Sequence, residues 1–237
     1  MIDDRPLIEI QGVSKDHGGD RPLRIQSLSV GARDRVTVSG LDRAEAETLV
    51  HLVSGAALPD EGSVTVAGTN TRSIVTDTEW LVSLDRFGVV THRAVLLDNL
   101  SVAANLALPL SLSVDPMPAS VRAEVEALAE TAGLARATLD RPVSSLDAFG
   151  RLCLHLARAL AASPRLLLLE HPTIELADDA GRQAFGRTLR RAADARALGW
   201  LAISDDEPFA RAAGGDVWRL AAGTGALARR RSWWPWR

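Results

Sequence analysis

The sequence predicts an α/β fold in which a mostly parallel sheet is flanked by helices. The second half of the chain supports this prediction, because it alternates short apolar runs, typical of buried strands, with longer segments of helical periodicity. Size supports it as well. The chain has 237 residues, of which 46% are hydrophobic and 24% charged, so it can bury the core of one large domain.

In the first half, short apolar or alternating runs bounded by turn residues predict strands over residues 8–13, 25–30, 35–39, 63–67 and 87–90. The pattern changes after Gly40, where apolar residues recur at helical spacing until Gly55, a residue suited to a helix C-terminal cap. A turn over residues 58–62, which contains Pro59 and Gly62, separates this helix from the next strand.

The second half contributes most of the helices and two buried strands. Residues 101–134 are rich in Ala and Leu but are broken at Pro109 and over residues 115–118, so they predict a helical subdomain with an exposed connection. Beyond this subdomain, the expected order is helix, strand, helix and strand, over residues 150–162, 165–169, 178–195 and 198–203. The sequence shows no internal repeat.

The cysteine content and the N-terminus indicate a cellular compartment. Cys153 is the only cysteine, so no intramolecular disulfide can form. The first residues lack the basic and apolar regions of a signal peptide, and no stretch is long and apolar enough to span a bilayer. We therefore expect a cytoplasmic protein.

Charge is distributed unevenly along the chain. The net charge is −3, but four arginines in the last nine residues leave −7 for the remaining chain. Such an acidic body is a poor platform for nucleic acid, and no nucleic-acid partner is expected. Lys15 is the only lysine, which excludes any function that needs a lysine elsewhere.

Several segments in order resemble one known family. Residues 36–40 look like a strand that enters a phosphate-binding loop, and residues 53–64 look like the segment that follows the next helix. Residues 96–110 are similar to the region after the Q-loop in the lipoprotein-release and macrolide-export branch, and residues 156–173 to the signature helix and Walker B strand. Together they resemble the ATP-binding cassette (ABC) ATPase subunit of membrane transporters over about residues 7–227.

The resemblance implies a P-loop NTPase-type ABC nucleotide-binding domain. A single ABC ATPase-like domain would span residues 1–228, with an antiparallel β subdomain and an α-helical subdomain at about residues 92–150. Residues 229–237 would form a separate tail rich in Arg and Trp. In this family the helical subdomain and the Q-loop contact a permease and two cassettes pair head to tail, so residues 87–135 are expected to dock on a partner.

The phosphate-binding loop departs from the family pattern. An ATPase loop needs glycines, so that backbone amides can approach the phosphates, a lysine on the β and γ oxygens and a hydroxyl on magnesium. Gly40 and Thr48 match this pattern. The positions between them include Asp42, Arg43, Glu45, Ala46 and Glu47. Arg43 and Glu45 replace glycines, Ala46 replaces the lysine, and Glu47 replaces the first hydroxyl residue. Like charges about 4 Å apart repel by about 4 kcal/mol at an effective dielectric of 20, so most nucleotide affinity should be lost.

The remaining family positions are also substituted. By resemblance, His17 stands where an aromatic residue stacks on adenine, and His92 stands for the Q-loop glutamine. The Leu-Ser-Gly-Gly signature is replaced by Leu146, Asp147, Ala148 and Phe149. Glu170 holds the Walker B aspartate position, from which it could still reach a metal, while His171 replaces the catalytic glutamate and Asp205 the switch histidine.

Two of these groups have other interpretations. By residue type, His92 and His171 suit an acid/base pair or, with Glu170 and Asp205, a metal site. No tight ligand spacing is present, so we interpret them as remnants of an ATP site and expect no metal.

The acidic residues of the loop have the chemistry to bind a cation, but we interpret them as solvated charges near a helix N-terminus. Cys153 has no activating base in the sequence and is expected to be a small core residue.

The C-terminal tail combines arginine with tryptophan. Its characteristic residues are Arg229, Arg230, Arg231, Trp233, Trp234 and Trp236. Arg beside Trp suits an anionic membrane surface, where indoles lie at headgroup depth, or an aromatic-lined protein groove. A disordered extension is the alternative. We favour an anchoring role, because three exposed indoles are unusual.

These observations lead to three functional hypotheses. The leading one is a pseudo-ATPase at the inner face of the cell membrane, with no cofactor. It would contribute interface and regulation to a permease, and to a competent sister ATPase or a second copy. The first alternative is a working ABC ATPase that uses Arg43 in place of lysine, with ATP and magnesium. The second is a soluble scaffold unrelated to transport.

Overall fold

A computed structural model of the chain describes residues 5–111, 113–114 and 116–229. The strands within these ranges are β1 (Ile8–Lys15), β2 (Leu23–Val30), β3 (Arg35–Ser39), β4 (Glu61–Val66), β5 (Thr69–Asn70), β6 (Phe87–Thr91), β7 (Leu166–Glu170), β8 (Gly199–Ile203), β9 (Asp216–Ala221) and β10 (Ala226–Arg229). The helices are α1 (Arg43–Ser54), α2 (Asp77–Leu84), α3 (Val102–Ala107), α4 (Ala119–Thr131), α5 (Ala148–Ala161), α6 (Asp179–Arg196) and α7 (Glu207–Ala213).

Two sheets form the framework. The larger has six strands in the order β10-β9-β3-β8-β7-β6, and all its neighbouring pairs are parallel except β10 with β9. The smaller has four antiparallel strands in the order β2-β1-β4-β5. The predicted α/β class with a mostly parallel sheet is therefore confirmed.

Strand β7 shows why the central strands read as continuous apolar runs. Leu167 and Leu169 pack into one hydrophobic core, with residues of α5 and α6. Leu166 and Leu168 point to the other face, into a second core shared with α1 and the antiparallel sheet. Both faces of the strand are covered, so its first four positions, Leu166 to Leu169, are all apolar.

The predicted strands and helices agree with the structure, which also contains elements that the sequence did not predict. The predicted Ala- and Leu-rich helical region consists of two helices, α3 and α4, joined by a longer connection. Helix α2 was not predicted, although Thr76 and Glu79 form a capping box at its start. The C-terminal elements α7, β9 and β10 were not predicted either.

The segment between β6 and α3 is held by one buried amide. The side chain of Asn105 accepts a hydrogen bond from the backbone N of Leu97 (2.9 Å) and donates one to the carbonyl oxygen of Leu97 (3.0 Å). This two-way contact fixes the path of the chain from the sheet edge into α3. Within the described ranges, no helix combines the length and apolar character needed to span a membrane.

Candidate functional site

The carboxyl ends of β3, β7 and β8 bring together residues that are far apart in sequence. Gly40 follows β3, Glu170 ends β7, and Asp205 comes two residues after the end of β8. Parallel strands end at the same edge of a sheet, and ligand sites of open α/β folds lie at this edge. The structure thus places these three predicted site residues at one edge.

The first amide of the loop is already occupied by a carboxylate. The backbone N of Gly40 donates to Oδ1 of Asp205 over 2.8 Å. Gly40 has a φ of 89°, and a Cβ at this position would lie 2.7 Å from the carbonyl oxygen of Leu220, so glycine is required here. Asp205 therefore does more than replace a histidine, because it accepts from an amide of the phosphate-binding loop.

The next amides are satisfied by a capping box. Oδ1 of Asp42 accepts from the backbone N of Glu45 (2.9 Å), and Oε2 of Glu45 accepts from the backbone N of Asp42 (3.0 Å). The expectation that the loop acids are solvated is wrong for Glu45. Its side chain is only 2% exposed, and Nε of Arg21 lies 3.4 Å from Oε1. The capping geometry draws this carboxylate inward.

The remaining loop residues offer little to a phosphate. Ala46 is fully buried in the core. The hydroxyl of Thr48 donates to the carbonyl oxygen of Ala44 (2.7 Å), so it is used within the helix. Arg43 is exposed, and in the part of the chain that the structure describes it makes no hydrogen bond or ion pair.

An arginine that the sequence analysis missed occupies the centre of the site. Arg93, two residues after β6, donates from Nη2 to Oε2 of Glu170 over 2.6 Å, and its Nη1 pairs with Oε1 of Glu47. Glu170 is 2% exposed, whereas the side chain of Arg93 is 35% exposed. Burial lowers the pKa of Arg93, but the hydrogen bonds and charges of Glu170 and Glu47 together outweigh burial and raise this pKa. The guanidinium therefore stays positive between two carboxylates.

A signal for Arg93 exists in the sequence. By the resemblance, Glu47 and Glu170 stand at the two positions associated with magnesium, and two carboxylates that lie close together are stabilised by a nearby cation. Arg93 directly follows His92, the residue at the position of the Q-loop glutamine in the resemblance.

The two histidines of the predicted site lie apart. His171 has a φ of 38°, its backbone N donates to the carbonyl oxygen of Ile203 (2.9 Å), and its Nε2 is 3.5 Å from the carbonyl oxygen of Asp42. His92 lines a different, small cavity with His155 and Glu175. Over the described ranges, no group of three or more His, Cys, Asp or Glu side chains is arranged to hold a metal ion.

His17 is enclosed by its own turn. A Cβ added to Gly19 would lie 2.5 Å from Cε1 of His17, so the glycine makes room for the imidazole. Neither ring nitrogen is solvent-accessible, and neither has a hydrogen-bonding partner among the described residues. The ring is packed into the turn rather than presented to a ligand.

The substituted signature caps a helix. Oδ1 of Asp147 accepts from the backbone N of Gly150 over 2.7 Å, which satisfies an amide at the start of α5. Leu146, Ala148 and Phe149 are partly buried and pack against the larger core. The carboxylate of Asp147 therefore occupies a backbone amide at the start of α5, and the three apolar side chains hold the segment against the core.

A cavity of about 400 Å³ opens beside the site, and His171, Asp205 and Asp206 are among the residues that line it. Asp206 is engaged by its neighbours, because Thr173 donates to its Oδ2, and Nε of Arg182 lies 3.6 Å from the same oxygen. The acidic wall of this cavity disfavours a polyanion.

The predicted anchor lies mostly beyond the described chain. Arg229, at the end of β10, is exposed and pairs with Asp216. The other anchor residues, Arg230, Arg231, Trp233, Trp234 and Trp236, lie outside the described residues. The anchoring role stays a prediction.

Comparisons with known proteins agree with the fold. The family model described as ABC transporter matches residues 47–174. The macrolide export ATP-binding/permease protein MacB 1 of Aeromonas hydrophila is 28% identical over 186 residues, which cover 76% of this chain and 28% of that protein. The Fe(3+) ions import ATP-binding protein FbpC 3 of Rhodococcus jostii is 30% identical over 220 residues, 91% of this chain and 60% of that protein. The chain therefore spans less than two thirds of either relative.

Solved structures share the fold. A dimeric, post-hydrolysis structure of the ATP-binding cassette MJ0796 with ADP and Pi superposes with a TM-score of 0.73 at 19% identity, and covers 95% of this chain and 100% of that one. The fold is thus that of an ABC nucleotide-binding domain, as the resemblance implied. The family match covers more than half of the sequence, and the chain belongs to the ABC transporter family.

Proposed function

We propose that this chain is a pseudo-ATPase, an ABC cassette that does not hydrolyse ATP and that serves a transporter as a structural or regulatory subunit. One observation carries the proposal: Arg93 bridges Glu47 and Glu170 at the place where the family positions magnesium. A guanidinium there supplies the positive charge that the carboxylates need, so a metal ion has no open ligands to bind.

The phosphate-binding loop supports the same conclusion. Its amides at Gly40, Asp42 and Glu45 donate to carboxylates of the chain itself. A triphosphate would have to displace these oxygens and then face their negative charge. Each of these hydrogen bonds to a carboxylate contributes about 1.5–3 kcal/mol. The loop has no lysine whose attraction to the phosphates would compensate for losing them.

The direct test is nucleotide binding by the whole chain. A ligand present at 100 times its Kd stabilises a protein by about 2.7 kcal/mol, which for a domain of this size raises the melting temperature by several degrees. We expect no dose-dependent shift with MgATP and no phosphate release. A dose-dependent rise would instead support the working ATPase that uses Arg43.

A restored loop provides the positive control. The variant R43G/E45G/A46K/E47S combined with R93Q returns the glycines, lysine and hydroxyl and frees Glu170 to meet magnesium. We expect this variant to gain an MgATP-dependent shift. Both proteins could be folded and yet show no MgATP-dependent shift in melting temperature. That result would mean that the substitutions in the loop are not what prevents nucleotide binding.

The proposed partner is a permease subunit, with a competent ABC ATPase or a second copy of this chain as the other cassette. Val95 and Leu97, in the segment between β6 and α3, are 73% and 43% exposed, and they lie within the expected docking region 87–135. These two exposed apolar side chains are only two residues apart in sequence, and we propose that they form part of one partner surface. Through such a permease the chain would lie at the inner face of the cell membrane, with the tail as a second contact.

Co-purification with a co-expressed candidate permease tests the docking. V95D/L97D should abolish it, whereas V75D/V82D, which places the same charges at two exposed valines near α2, should not. Retention of the complex by V95D/L97D would show that docking does not use this segment. A native chain that never co-purifies would favour the soluble scaffold.

A further inference from the structure

A further cavity of about 330 Å³ is bordered by β5, helix α2 and the residue that precedes β6. Its volume falls within the range of about 300–1,000 Å³ that is typical of small-molecule sites. It shares no lining residue with the cavity beside Asp205. Arg86 lines it just before β6, whereas Arg93 lies beyond the other end of that strand. The cavity is therefore separate from the edge at which the phosphate-binding loop lies.

One side of α2 forms a wall of this cavity. Thr78 and Val82 line it and are four residues apart, as are Glu79 and Ser83, so these four residues share one side of the helix. Ile74, in the segment between β5 and α2, lines it as well. The cavity thus combines an apolar surface, from Ile74 and Val82, with hydroxyl groups.

The hydroxyl of Ser83 is buried without a partner from the protein. Ser83 is only 3% exposed and lines the cavity, but its hydroxyl forms no hydrogen bond to any residue in the described ranges. Other helix hydroxyls are satisfied, because Thr48 donates to the carbonyl oxygen of Ala44 (2.7 Å) and Thr131 to that of Ala127 (2.8 Å). A buried polar group without a partner costs free energy, so the Ser83 hydroxyl is open to a ligand.

The guanidinium of Arg86 is also without a partner. Arg86 is partly buried, and across the residues that the structure describes its side chain forms neither a hydrogen bond nor an ion pair. Other partly buried arginines pair with carboxylates, as Arg35, Arg122 and Arg151 do. A guanidinium presents its N–H donors in a planar fork that matches the two oxygens of a carboxylate. Arg86 is thus suited to hold an acid group in the cavity.

Glu79 carries the other charge among the described lining residues, and this charge is already engaged. Its Oε2 accepts from the backbone N of Val75 (3.1 Å) and of Thr76 (3.2 Å). Hydrogen bonds from Val75 and then Thr76 lower the pKa of Glu79, which therefore stays ionised. Glu79 precedes Arg86 by seven residues, or about 10 Å at the rise of an α-helix. An anionic group therefore belongs at the Arg86 end of the cavity.

We propose that this cavity binds a small organic acid with a short apolar chain. The carboxylate accepts from Arg86 and Ser83, and the chain packs against Ile74 and Val82. One unpaired guanidinium balances the single charge of a carboxylate, whereas a phosphate ester carries about −1.5 to −2 and would need a second cation. The site is distinct from the nucleotide site, so the inference goes beyond the proposed function and does not depend on it.

Isothermal titration calorimetry of the full chain with hexanoate tests the inference. We expect saturable binding of hexanoate. Acetate, which lacks the apolar chain, and 1-hexanol, which lacks the charge, should each bind more weakly by about tenfold or more. Hexylammonium, which has the opposite charge, should not bind. These four ligands are compared on the native chain, so the comparison does not require any variant to fold.

Substitutions then locate the ligand. Arg86→Gln should weaken hexanoate binding by about tenfold or more, and Ser83→Ala by about two- to tenfold, because each removes a hydrogen bond to the carboxylate. Arg86→Lys should retain part of the affinity, since it keeps the charge without the planar fork. Arg141→Gln is the matched control, at an exposed arginine without a partner among the described residues, and should bind as the native chain does.

Several results would overturn the inference. If the native chain shows no saturable heat with hexanoate, or binds acetate and 1-hexanol equally well, the cavity does not recognise an acid with an apolar chain. If Arg86→Gln binds hexanoate as tightly as the native chain, or if Arg141→Gln loses as much affinity, the acid does not bind at Arg86.

Hydrogen exchange gives the location independently if Arg86→Gln does not fold. Hexanoate should slow exchange of backbone amides within residues 69–86 of the native chain, and protection confined to other segments would contradict the assignment. Nucleotide and permease are absent from these assays. Failure to bind hexanoate would therefore leave the proposed function intact, and a response to MgATP would leave this inference intact.

Discussion

The guanidinium of Arg93 and the carboxylate of Glu170 form a short ion pair, with Nη2 and Oε2 2.6 Å apart at the end of β7. This contact links the segment after β6 to the central sheet, and the pairing of the same arginine with Glu47 adds helix α1. One side chain therefore joins three elements at the same edge of the sheet as Gly40 and Asp205. The site is closed by contacts of the chain with itself.

Removal of this arginine should destabilise the fold. Arg93→Ala leaves Glu170 buried without its partner, and breaking a buried ion pair in this way costs about 3–5 kcal/mol. Because Arg93 is partly exposed, we expect the lower end of this range, a loss of about 3 kcal/mol in the free energy of unfolding, measured by urea denaturation. R93Q/E170Q should recover part of the loss. Arg43→Ala should change stability by less than about 0.5 kcal/mol, since Arg43 has no partner among the described residues.

Asp42 should contribute to stability as a helix cap. Its Oδ1 accepts from the backbone N of Glu45 at the start of α1, and replacing such a cap with Ala costs about 1 kcal/mol. For a domain of this size Asp42→Ala should therefore lower the melting temperature by about 2–4 °C. Asp42→Asn should retain most of the stability, because Asn caps helices as well as Asp. Equal losses in both variants would mean that charge rather than capping matters.

Cys153 should be unreactive in the folded protein. Burial raises the pKa of its thiol to about 12, so the thiolate that reacts with alkylating reagents is almost absent at pH 8. We expect no modification by iodoacetamide over an hour in buffer and complete modification in concentrated urea, as measured by intact mass. Rapid labelling of the native chain would show that α5 opens readily.

His155 should make stability depend on pH in a defined window. Burial, followed by the charges of Arg158 and Arg151, lowers the pKa of His155 to about 4, whereas an unfolded histidine titrates near about 6.5. Between these values the unfolded chain binds the proton and the folded one does not, so stability falls as pH is lowered and is unaffected above about 6.5.

The difference between native chain and His155→Gln isolates this contribution. Urea titrations at pH 7, 6 and 5 should show a smaller loss of stability in the variant, with a difference of about 2 kcal/mol between pH 7 and pH 5. His51→Gln, at a histidine whose side chain is 43% exposed, should follow the native chain. Parallel curves for all three proteins would contradict the pKa of His155.

Local patterns were sufficient for the main elements but not for the site. The run Leu166 to Leu169 predicted a buried strand because both of its faces are covered, and Gly55 predicted the end of α1, where it adopts a left-handed φ of 74°. The sequence pattern does not predict helix α2, because the helix is short and partly exposed and its signal is confined to the capping residues Thr76 and Glu79.

The sequence by itself determined the family, the fold class and the absence of a lysine, glycines and hydroxyl from the phosphate-binding loop, since these depend on residue identity and order. Only the tertiary structure decided what occupies the site instead. Arg93 and Glu170 are 77 residues apart, and Gly40 and Asp205 are 165 apart. Such contacts arise when parallel strands end at one edge of a sheet, and the burial of Glu45 likewise depends on the fold of the loop.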